Sequence, residues 1–158
     1  MICAVDVQAV DRLQEPAVKA GFLFNFSIFV SWPTTPSDQP FVVCILGSPE
    51  VLGELDRAAR GKTVAGRKFV AREMAPGDDP NVCQVLFVSE HSDRYASALL
   101  RRVRGPVLTV GDTAFFLREG GIMRFVVTGE RLKFQVDPEA ADRVGLRIGS
   151  QLLSVALR

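Results

Sequence analysis

Three stretches of this chain are apolar without alternation: FVVCILG at 41–47, QVLFVSE at 84–90 and PVLTVGD at 106–112. A strand with one wet face alternates apolar and polar side chains, whereas an unbroken apolar run belongs to a strand covered on both faces. Helical stretches separate the three. SPEVLGELDRAARG at 48–61 offers Ser48 as N-cap, Pro49 at the first helical position, an apolar face of Val51, Leu52 and Leu55, and Gly61 as a stop. The second helix is predicted over 93–104, with Tyr95, Leu99, Leu100 and Val103 as its stripe. Buried strands joined by helices imply right-handed crossovers and a parallel sheet.

A weaker strand, KFVAREM at 68–74, precedes the loop APGDDPN, and the period changes after residue 112. IMRFVV at 122–127 and RLKFQV at 131–136 flank Thr128, Gly129 and Glu130 as an antiparallel hairpin. Asp137 and Pro138 open a short helix ending at Gly145, and Ser150 is expected to cap a last one carrying Leu152, Leu153, Ala156 and Leu157. The expected fold is α/β: a three-layer open sheet, mostly parallel in the order 2-1-3-4, with a C-terminal antiparallel hairpin and flanking helices. With 158 residues the chain suits one domain, which at this size buries roughly 70% of its unfolded surface. We place that domain at 16–158, after a flexible segment over 1–15.

The stretch GFLFNFSIFVSWP at 21–33 is ambiguous in period. Phe22, Phe24, Phe26, Ile28, Val30 and Trp32 alternate as in a strand, while Val18, Phe22, Phe26 and Phe29 recur as in a helix. Glu15-Pro16 at its start and Pro33 at its end favour the helix. The run is shorter than the ~20 apolar residues needed to cross a bilayer, so direct membrane insertion is not expected. The start MICAVDVQ is compatible with the remnant of a signal-peptide cleavage region. A net charge of +1 lacks the basic excess usual for nucleic-acid binding. The one dense basic cluster, Arg101, Arg102 and Arg104, sits at a predicted helix C-terminus, where cations are at home.

In an open parallel sheet, ligands bind beyond the C-terminal strand ends. Those ends are Gly47-Ser48, Ser89-Glu90-His91 and Gly111-Asp112, which predicts a small polar crevice floored by TAFFLREGG at 113–121. Enzymatic readings fit it poorly. The sequence Gly61-Lys62-Thr63 resembles the end of a phosphate loop, but Asp56 stands where glycine is required and a helix precedes it. A response-regulator phosphoacceptor at Asp112 fails because Leu46, Gly47 and Ser48 follow the first strand where acidic residues are needed. Ser48 or Ser89, His91 and Asp112 contain the residue types of a hydrolytic triad without a GxSxG elbow. No metal site is expected from one histidine and three scattered cysteines, and Asp78 and Asp79 read as turn residues. Cys44 and Cys83 fall in strands expected to be neighbours, which leaves both a disulfide and two buried thiols open. Cys3 would be an odd thiol near the terminus.

Taken together, VKAGFLFNFSIFVSWP, FVVCILG, GKTVAGRKF, CQVLFVS, PVLTVGD, GGIMRFVV and GLRIGSQLLSVAL, in that order from about residue 18 to 157, resemble the YfiR family of periplasmic repressors. The resemblance implies a regulator without catalysis or cofactor, exported to the periplasm, which binds the sensor region of an inner-membrane diguanylate cyclase and holds it inactive, lowering cyclic di-GMP and biofilm formation. It implies a Cys44–Cys83 disulfide. A second family disulfide, expected between 111 and 125, has no cysteines here. It also implies a homodimer and a small aromatic or nucleotide-like ligand in a pocket to which Arg147 belongs, with Gly149 where relatives carry a larger polar residue. Ligand contacts are expected from Ser48, Ser89, His91, Asp112 and Arg147. Partner or dimer contacts are expected from Phe26, Phe29 and Trp32 in the first helix region, Gly120 and Gly121, and Leu153, because large apolar residues are in excess at both chain ends. Two other classes share this sequence pattern: a small-molecule sensor domain serving another membrane receptor or kinase, and a nucleotide-handling enzyme using Asp112 or His91.

Overall fold

A computed structural model describes residues 14–33 and 38–157. Cys3, the start MICAVDVQ and most of the expected flexible segment lie outside the described residues. Glu15 itself belongs to the fold as the first residue of helix α1 (Glu15–Phe29), with Pro16 in its first turn. The helical reading of the ambiguous stretch holds as far as Phe29. Phe22, Leu23 and Phe26 are buried on one side, and only at strand β1 (Val30–Ser31) does the chain become extended, with Val30 inward and Ser31 outward.

The apolar runs then form the sheet. β2 (Phe41–Leu46) leads into α2 (Pro49–Ala59), followed by the short β3 (Thr63–Val64), β4 (Arg67–Glu73) and β5 (Val85–Val88). Beyond β5 come β6 (Leu108–Gly111), β7 (Met123–Thr128) and β8 (Arg131–Val136). The spatial order is β3-β4-β2-β5-β6-β7-β8. Its centre, β4-β2-β5-β6, is parallel and is the predicted 2-1-3-4 order; β7 continues it in parallel and pairs antiparallel with β8. Every residue of β2, β5 and β6 is buried because both faces are covered. Val43, Ile45, Val85, Phe87, Leu108 and Val110 face a core shared with α1 and α2. Val42, Cys44, Leu46, Leu86 and Val88 face a second core with Leu99 and Phe116.

Two boundaries differ from expectation. The helix predicted over 93–104 is split into a 3₁₀ segment, Glu90–Tyr95, and α3 (Ala96–Arg102). Ser92 breaks the regular path with φ −114° and ψ 16°, and Asp93 is held sideways by a hydrogen bond from the Thr113 hydroxyl. Arg101 and Arg102 do sit in the last turn of α3, and the Arg102 guanidinium donates to the Pro76 and Asp78 carbonyls. At the C-terminus, α4 (Pro138–Arg143) starts on Asp137, whose carboxylate accepts from the Ala140 amide. β9 (Arg147–Ile148) pairs antiparallel with β1 in a separate two-stranded ladder. The last helix, α5 (Ser150–Val155), takes Gly149 and not Ser150 as its N-cap, with no side chain on its free amides. Cys44 and Cys83 form a disulfide, with Cα atoms 5.9 Å apart.

Candidate functional site

The C-terminal ends of β2, β5 and β6 open into a cleft of about 560 Å³, lined by Ser48, Glu50, Ser89, Glu90, His91 and Asp112 together with Glu15, Pro16 and Lys19 of α1. Four residues expected to contact a ligand, Ser48, Ser89, His91 and Asp112, are thus brought to one place. Arg147 is not among them. It pairs with Ser31 beyond the far end of α1, about 15 Å of helix rise from Lys19. The segment 113–121 does not floor the cleft either. Phe87 lies beneath it and the first turn of α1 forms its wall, while Phe116 turns into the opposite core.

Close packing builds the two strand ends. Gly47 has φ +84°, and a Cβ there would come within 2.2 Å of the Ser92 Oγ. That space lets the Ser89 hydroxyl donate to the Gly47 carbonyl at 2.8 Å, tying β2 to β5. Ser48 Oγ accepts from the Val51 amide at 3.2 Å and caps α2. Both serine hydroxyls are therefore engaged with backbone. Gly111 lies directly against the Phe116 ring, where a Cβ would meet Cγ at 2.2 Å.

The residue that sequence reasoning missed is Lys19. Its Nζ lies 2.9 Å from Asp112 Oδ1 and 2.9 Å from Glu15 Oε2, with the Lys19 and Asp112 side chains only 10% and 7% exposed. The Glu90 amide donates to the other Asp112 oxygen at 3.3 Å. Burial draws the Lys19 ammonium down, but the Asp112 and Glu15 carboxylates outweigh it and hold its pKa above the ordinary 10.5. Burial is also the largest influence on Asp112 and lifts its carboxyl above the ordinary 3.8 despite the Lys19 charge. The ammonium also stands over the Phe125 and Phe87 rings, 5.8 and 6.0 Å from their centroids. One signal pointed to Lys19: it is the single cation in a mostly apolar helix. Its partner is ninety-three positions away, and local pattern carries no information about that.

Among the described residues no group of three or more His, Cys, Asp or Glu side chains is placed to hold a metal ion, and no helix is long and apolar enough to cross a membrane. Asp112 is committed to Lys19, Ser89 to Gly47 and Ser48 to α2. The residues expected at a partner surface divide. Leu153 is 43% exposed, Phe29 and Trp32 are half-buried and Gly120 is exposed. Phe26 is fully buried against Phe22, Phe125 and Phe134, and Gly121 is buried against Phe116. Neither offers surface, because the core needs both.

Fold and cleft together define a doubly wound α/β domain with a charged crevice at the strand ends and an internal disulfide. A family model described as YfiR/HmsC-like matches residues 16–157, and the chain belongs to that family. At family level the match supports a periplasmic regulator of diguanylate cyclase.

Proposed function

We propose that this protein binds the periplasmic sensor region of an inner-membrane diguanylate cyclase and holds the enzyme inactive, so that its release raises cyclic di-GMP and favours biofilm formation. The observation that carries this reading is the family match over almost the whole chain. The mechanism is a difference in affinity. A repressor shifts its partner only by binding the inactive state more tightly, and moving a 1:99 population to 99:1 takes about 5.5 kcal/mol of difference.

The contact surface we assign is the C-terminal end of α1 with α5, where Phe29, Trp32 and Leu153 retain exposure and Ile28 is 48% exposed. The Gly149 amide donates to the Phe29 carbonyl at 3.1 Å, which holds the two helix ends together. The same face serves a homodimer, and Gly120 belongs to a separate edge. The periplasm follows from the same reading, and the Cys44–Cys83 disulfide suits an oxidising compartment.

The test adds the oxidised protein to membranes carrying an inner-membrane diguanylate cyclase encoded beside it and follows cyclic di-GMP synthesis. Inhibition is expected, and Leu153→Asp with Ile28→Asp should relieve it with folding intact. Unchanged synthesis together with no association of the two proteins would overturn the proposal.

A further inference from the structure

We draw no further inference here: the strongest candidate, the groove of about 600 Å³ between the end of α1, β1 and the β3–β4 turn, lined by Trp32, Phe41 and Arg67, also takes in Ser31, the strand partner of Arg147, and so restates the ligand pocket that the family resemblance already implies.

Discussion

Replacing Lys19 by Met would leave Asp112 inside the protein without its cation, its side chain only 7% exposed. Removing one member of a buried pair costs about 3–5 kcal/mol, and urea denaturation of Lys19→Met should show a loss of that size. Lys19→Met with Asp112→Leu should recover most of it, since the uncompensated charge is gone as well. The pH dependence follows from the directions of the shifts. The Lys19 pKa is raised above 10.5 in the fold, so its stabilisation is complete below 10.5 and fades as pH rises through the folded value. The Asp112 pKa is raised above 3.8, so its contribution is present below 3.8 and is lost as pH rises through the folded value. Without Lys19 that rise becomes larger. The penalty of Lys19→Met should therefore be smaller at about pH 4 than at about pH 7, which paired urea titrations would check.

Elements depend on how their sequences meet. The three unbroken apolar runs became β2, β5 and β6 because nothing in them tolerates a wet face. The order 2-1-3-4 is one of those that doubly wound parallel sheets commonly take. The α1 stretch was ambiguous because its phenylalanines satisfy both periods, and the core resolved it by burying Phe22 and Phe26 against Phe134 at 5.5 and 4.9 Å. The Gly120-Gly121 pair serves two purposes. Gly120 takes φ +107° in the turn before the hairpin, and Gly121 makes room for Phe116. Gly111 does the same from the other side, so Gly111→Ala should destabilise by about 1–3 kcal/mol through overpacking, as a lowered thermal midpoint. The disulfide joins β2 to the approach of β5 across a separation of 39 residues. Cys44→Ala with Cys83→Ala should lose roughly 4 kcal/mol on the chain-entropy account, and a reductant should lower the denaturation midpoint of the native chain while leaving that variant unmoved.

At the scale of the whole molecule, the two ends of α1 serve different purposes. Its N-terminal part walls the cleft through Glu15, Pro16 and Lys19, while its last turn carries the exposed Ile28 and is tied through the Phe29 carbonyl to the Gly149 amide at the start of α5. Lys19→Met should lower stability without touching the contact face, whereas Leu153→Asp should weaken association with the cyclase and leave stability unchanged. Side-by-side measurement of association and of the urea midpoint in both variants separates the two ends.

The amino-acid sequence by itself determined the fold class, the hairpin and the strand-end residues Ser48, Ser89, His91 and Asp112, because each follows from apolar periodicity or from local capping and turn chemistry; the strand order 2-1-3-4 was expected as the common order of doubly wound sheets, and the structure has it. Tertiary structure alone decided that Lys19 meets Asp112, that Phe26 and Gly121 belong to the core and that Arg147 lies apart from the cleft. Those outcomes depend on distances between residues far apart in the chain. Periodicity records which face a side chain takes, and only the packed molecule records what waits on that face.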